Sequence, residues 1–135
     1  MAFELVRTIG DDTRPFETIL GTDAEAYDRH QIVTLASGRL TGAGVDSTGT
    51  QKFVTISAQA AEATAVTPIP VIRLDGDMEF RTQSSGVIAV TAIGDSYTLD
   101  TDQTGITTTT TNGVFEITGT DGANPSNVTG LFKQV

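Results

Sequence analysis

From Gln51 onward the chain alternates apolar and polar positions in short stretches separated by glycine, asparagine and proline. Successive side chains of a strand point to opposite faces, so a period of two marks half-buried strands. The clearest case is Asp75 to Thr82, where Met78 and Phe80 share one face while Asp75, Asp77, Glu79 and Arg81 share the other. Lys52 to Ser57 is a second, with Val54 and Ile56 on one face and Phe53 and Thr55 on the other. His30 to Leu40 reads as a strand with Val33 and Leu35 on one face, returning through Thr41-Gly42-Ala43-Gly44 and a polar loop to Gly49. Val87 to Val90 is a continuous apolar run, which predicts a central strand. Tyr97 to Asp100, Gly105 to Thr111, Val114 to Thr118 and Val128 to Lys133 complete the set. Turns are predicted at Gly94-Asp95, Asn112-Gly113 and Asp121-Gly122, the Asn-Gly pair as a hairpin.

Other segments break this pattern. Val66 to Leu74 carries Pro68 and Pro70, which cannot donate to a ladder, so the segment reads as an edge strand. Ser57 to Ala65 is alanine-rich and fits a helical turn or a coil. Residues 1–28 mix Phe3, Leu5, Val6, Ile9, Phe16, Ile19 and Leu20 with acidic residues, and Gly10-Asp11-Asp12 and Arg14-Pro15 interrupt them. They read as an extended arm or edge strand, then a loop with one helical turn over Ala24 to Tyr27 capped by Thr22 or Asp23. Such an arm packs either on a neighbouring molecule or on its own domain. Strands at this spacing predict an all-β, mainly antiparallel fold, a small barrel or sandwich over residues 29–135 with the N-terminal arm over 1–28.

Composition narrows the function classes. The 135 residues suit one domain, and with 6% aromatics and no Trp its core must rest on Val, Ile, Leu and a few Phe. A core of that kind gains from burial at a subunit contact. Seventeen acidic against eight basic residues give a net charge of −9. The basic residues form no run, so neither a nucleic-acid backbone nor an anionic membrane surface is an expected partner. There is no cysteine, hence no disulfide or thiolate chemistry. No secretory signal and no apolar run of membrane-spanning length is expected. Asn127-Val128-Thr129 fits the glycosylation pattern without a secretory context to use it.

Candidate chemistry is sparse. His30 is the only histidine, has no nucleophile-elbow pattern beside it, and reads as a solvent-facing strand residue. Asp100-Thr101-Asp102-Gln103-Thr104-Gly105 begins like a calcium loop, but Thr111 stands where the bidentate acid belongs, so a polar turn is expected. Asp75, Asp77 and Glu79 could form a carboxylate row, yet Arg81 on the same face favours a solvated strand. No cofactor, metal, catalytic group or small-molecule substrate is expected.

The order of features resembles the capsid decoration (cement) proteins of tailed bacteriophages. It rests on the strand and Gly-rich return over Gln31 to Thr41, Phe53 to Ala61 with its Ala-rich link, and Val71 to Phe80 with its charged stretch. Ile93-Gly94-Asp95-Ser96-Tyr97, the Gly-Val-Phe-Glu-Ile segment at 113–117 and the final Val-Thr-Gly-Leu-Phe strand continue it. The resemblance implies a β-barrel or β-tulip subunit, a homotrimer, bound to major capsid protein on the outer surface of the virion after assembly in the host cytoplasm. It would clamp neighbouring capsid subunits once the shell has expanded. On that reading Phe3, Leu5, Phe16 and Ile19 would touch the capsid, and Pro68, Pro70, Leu131 and Phe132 the neighbouring subunits. The alternative is a carbohydrate- or receptor-binding β-domain of a phage tail or bacterial surface, for which Tyr27 and Tyr97 are the available polar aromatics.

Overall fold

The computed structural model describes residues 2–8, 16–42, 51–74 and 78–132, with the side chains of residues 7 and 8 left aside. Ten strands form two five-stranded sheets, and every pairing between them is antiparallel. The first sheet has the order β1 (Glu4–Thr8), β7 (Met78–Gln83), β10 (Asn127–Phe132), β9 (Phe115–Thr120), β8 (Ser96–Tyr97). The second runs β2 (Phe16–Leu20), β6 (Pro68–Arg73), β5 (Lys52–Thr55), β3 (Ile32–Ala36), β4 (Arg39–Thr41). The fold is an all-β sandwich without a closed barrel.

Alternation explains the main core. Met78, Phe80 and Thr82 of β7 point inward, as do Val128 and Phe132 of β10 and Phe115 and Ile117 of β9. They meet Ile32, Val54 and Leu74 of the second sheet. Four phenylalanine rings converge there: Phe132 lies 5.2 Å from Phe3, 5.6 Å from Phe80 and 5.0 Å from Phe115. Gly130 makes room for this cluster, because a Cβ at that position would stand 2.6 Å from Cε2 of Phe115.

The second sheet buries both faces. Ile32 and Val54 face the main core, while Val33, Phe53, Ile69 and Val71 turn the other way and enclose a smaller one with Tyr27 and Leu40. That core is possible because the sheet curls until its two ends touch. Gly21 and Leu40 form one parallel bridge, and Thr22 donates its N–H to the Leu40 carbonyl at 3.1 Å. The Tyr27 hydroxyl donates to the same carbonyl at 2.6 Å and closes the gap.

Several sequence expectations need correction. The strand from His30 to Leu40 is two strands, because Ser37 and Gly38 both take positive φ (51° and 78°) and make a two-residue hairpin turn. Residues 24–27 form no helical turn; Ala24 is left-handed (φ 61°) in a tight turn closed by Glu25 N–H to the Thr22 carbonyl. Val87 to Val90 is not a central strand but a connection ending in a 3₁₀ turn (Val90–Ala92), with only Ile88 and Ala92 directed inward. The Asn112-Gly113 turn forms, but not the hairpin: Gly105 to Thr111 and Thr98 to Asp100 are not strands, residues 98–107 fold back on themselves, and β9 pairs with β8 and β10.

β6 is not an edge either, since β2 covers one side and β5 the other. Pro70 accepts from the Ile56 N–H, so its missing donor faces the β5 side just beyond the end of that strand. The prolines therefore mark where β5 stops. Asp75 and Asp77 lie outside the described residues.

Lys52 is wholly enclosed on β5, at 0% exposure. The chain has two lysines, Lys52 and Lys133. Amine acylation of the native protein is expected to leave Lys52 unmodified and to reach it only in denaturant. Peptide mass spectrometry reads this directly, and native-state labelling of Lys52 would contradict the packing.

Candidate interaction surface

The N-terminal residues supply one edge strand to each sheet. Among the described residues β1 bonds only to β7 and β2 only to β6, apart from the Gly21 bridge beyond its end. The β1 ladder contains a bulge at Val6, between the Leu5–Phe80 and Arg7–Glu79 pairs. A bulge twists an edge away from further pairing. β2 has none, and its register with β6 is unbroken from Phe16–Ile72 to Leu20–Pro68. Because Pro70 and Leu74 bond toward β5, Val71 bonds toward β2, and the N–H and C=O of Thr18 are turned away from β6. β2 is thus the straighter edge for adding a strand.

Two apolar side chains stand out at these edges. Five of the six phenylalanines are buried; Phe16 is 63% exposed. It shares a face with its cross-strand partner Ile72, which packs against the main core. Leu5, 47% exposed on β1, borders an apolar cleft of about 150 Å³ lined by Phe3, His30, Val54, Ile56, Ile72 and Phe80. On the opposite face of β2 the Arg73 guanidinium donates to both Glu17 oxygens at 3.0 and 3.1 Å and lies 5.1 Å over the Phe53 ring. That pairing holds the Glu17 carboxyl below its usual range and ties the edge strand to its neighbour.

The four residues assigned to capsid contact therefore separate. Leu5 and Phe16 are on the surface, Ile19 packs against the second core, and Phe3 is enclosed by Phe115 and Phe132. Phe3 belongs to its own domain because its N–H also bonds to the His30 carbonyl, which fastens the start of the chain across the sheets. Among the residues assigned to subunit contact, Phe132 is the centre of the aromatic cluster and Leu131 is half-buried on the outer face. Pro68 is exposed and Pro70 half-buried.

The remaining candidates take other places. Tyr27 and Tyr97 are both buried, so neither offers a ring to a sugar. The 100–105 loop closes on itself, with Thr104 N–H donating to an Asp100 carboxylate oxygen and Asp100 N–H to the Gly105 carbonyl. Gln103 straps this loop to β3: its carbonyl accepts from Ile32 N–H and its Oε1 from Gln31 Nε2. A polar hollow of about 380 Å³ lies over this strap, bordered by Glu25, Asp28 and Asp102. Among the described residues no three His, Cys, Asp or Glu side chains converge to hold a metal ion.

His30 is not a strand residue but a left-handed turn residue (φ 57°) on the wall of the apolar cleft. Burial pushes its imidazole below the ordinary 6.5, Arg29 beside it pushes the same way, and Glu4 opposes them. As pH falls the unfolded chain takes up this proton first. The stability His30 contributes is complete above about 6.5 and is lost as pH drops through the lower folded value. An NMR titration of this sole imidazole is expected to give an apparent pKa below 6.5, and His30→Gln is expected to flatten the loss of Tm in that window. A value at or above 6.5 would contradict the placement. Comparisons with protein-family models, with curated proteins and with solved structures return no match, so the functional reading rests on this chain's own residues.

Proposed function

We propose that this chain is a structural virion protein that binds the outside of an expanded phage capsid through its N-terminal edge strands and clamps neighbouring major capsid protein subunits. The observation that carries the reading is Phe16: the one exposed phenylalanine of six stands on an unbulged edge strand that pairs on one side among the described residues, beside Ile72 and the cleft at Leu5. An edge strand accepts a partner strand through main-chain bonds, and a flanking aromatic supplies an anchor. The order of sequence features and the net charge of −9 support a role in binding. A clamp of this kind sums weak contacts over many copies, so pressure on the shell must break several at once.

The test is co-sedimentation with expanded capsids and with unexpanded procapsids, both lacking the protein. Saturable binding to the expanded shell alone is expected. The pair Leu5→Ser and Phe16→Ser is expected to weaken it by roughly 30-fold, about 2 kcal/mol, as for loss of an aromatic anchor. Both side chains are exposed, so the fold should survive. Binding to neither shell would remove the reading, and full binding by the double variant would remove the edge strands from it.

A further inference from the structure

The apolar cleft beside Leu5 adjoins a polar hollow, and His30 lines both. The cleft, about 150 Å³, is walled by Phe3, Leu5 and Phe80 on the side of the first sheet and by Val54, Ile56 and Ile72 on the side of the second. Thr55 also borders it, but its hydroxyl is engaged, donating to the Asp28 carbonyl at 2.5 Å and accepting from Gln31 N–H at 2.9 Å. The polar side chain left at the wall is His30. Its backbone is pinned on both sides, the N–H donating to the Thr55 carbonyl at 2.9 Å and the carbonyl accepting from Phe3 N–H at 3.2 Å.

The hollow beyond it, about 250 Å³, is lined by Ala2, Glu4, Arg29 and His30. Arg29 is distinctive there. Arg39, Arg73 and Arg81 lie 3.7, 3.0 and 3.6 Å from the carboxylates of Asp23, Glu17 and Glu4. Among the described residues Arg29 pairs with no carboxylate, although it is exposed on a chain of net charge −9. Glu4, the carboxylate nearest to hand, is engaged by Arg81, which offsets its repulsion of an incoming anion.

We infer that the cleft and the hollow together bind a short-chain aliphatic carboxylate, its tail between the sheets and its head group on Arg29 beside His30. Volume sets the tail: an apolar cavity of about 150 Å³ stays dry and takes a molecule the size of benzene, which is about six carbons. Charge sets the head group. The planar guanidinium fork matches a carboxylate with two parallel N–H donors. A cationic ligand would meet Arg29, a neutral hydrocarbon would leave it unpaired, and a long acyl chain or a lipid outgrows the cleft. A mostly apolar pocket with few placed polar groups is the usual form of a small-molecule site. The inference goes beyond capsid binding and does not rest on it: a chain that ignores capsids but takes up the carboxylate keeps this site and loses the earlier proposal.

NMR titration of the methyl-labelled chain with sodium hexanoate tests it. Saturable shifts are expected at the methyls of Leu5, Val54, Ile56 and Ile72 and at the His30 imidazole. Butanoate, two methylenes shorter, is expected to bind about 15-fold more weakly, at about fourfold per methylene withdrawn from water. Hexylamine is expected to bind more weakly than hexanoate. Arg29→Gln should weaken hexanoate by about fivefold, the upper end for an exposed ion pair, and leave hexanol unchanged. Arg29 is exposed, so the fold should survive. Ile56→Trp, at a half-buried wall position, is expected to obstruct the tail and weaken hexanoate and hexanol alike. If circular dichroism shows that variant unfolded, Ile56→Phe is read in its place. Shifts that do not saturate or that centre away from the cleft, hexylamine binding as tightly as hexanoate, or an Arg29→Gln variant that binds hexanoate as the wild type does each overturn the inference.

Discussion

The rest of the structure depends on the contact between the two ends of the chain at Phe132. Its ring touches Phe3, Phe80 and Phe115, so one side chain joins the start of the chain to β7, β9 and β10. With 6% aromatics and no tryptophan the protein has few large rings, and four of its six phenylalanines are committed here. Aromatic pairs in tilted or edge-on geometry are each worth about 0.5–1.5 kcal/mol beyond the area they bury. Without that anchor β1 would have one ladder and no hydrophobic tie, and the cleft beside Leu5 would lose a wall.

From this constraint the surfaces follow. Because Phe3 is inside, Leu5 and Val6 are displayed on a fixed strand; because Glu17 grips Arg73, Phe16 is displayed on another. An edge that does not have to order itself gives up little entropy on docking. At the turn between β7 and β8 the buried serines 84 and 126 do the same for Val87, Val90 and Ile93.

The sequence showed the strands whose pattern is local. Met78 and Phe80 inward and Arg81 exposed could be read from alternation alone, but Glu79, expected on a solvated face, is buried at 9% exposure because the Thr118 hydroxyl of β9 donates to its carboxylate. Ser37-Gly38 was hidden because β-branched and apolar residues continue across it, and a two-residue turn costs the pattern almost nothing. Val87-Ile88-Ala89-Val90 misled for another reason: an uninterrupted apolar run has the same composition whether it is buried or displayed. The burial of Phe3 depends on a partner near the other end of the chain, which no window of neighbouring residues contains. Of the interaction surface, Leu5 and Phe16 were visible as apolar residues near turn signals, but only the fold separates them from Phe3 and Ile19. The uncharged stretches Thr82 to Gly94 and Gln103 to Phe115 are plain in the sequence, but that they lie side by side is not.

The central claim is that the N-terminal segment is built into the core and presents its edges from there. A double-mutant cycle on Phe3 and Phe132, followed by urea unfolding, tests it most directly. Each change to alanine is expected to cost about 3–5 kcal/mol, with a coupling of about 0.5–1.5 kcal/mol between them. If Phe3→Ala costs less than about 0.5 kcal/mol, as a free surface position would, and shows no coupling to Phe132→Ala, the segment is a loose arm and the account fails.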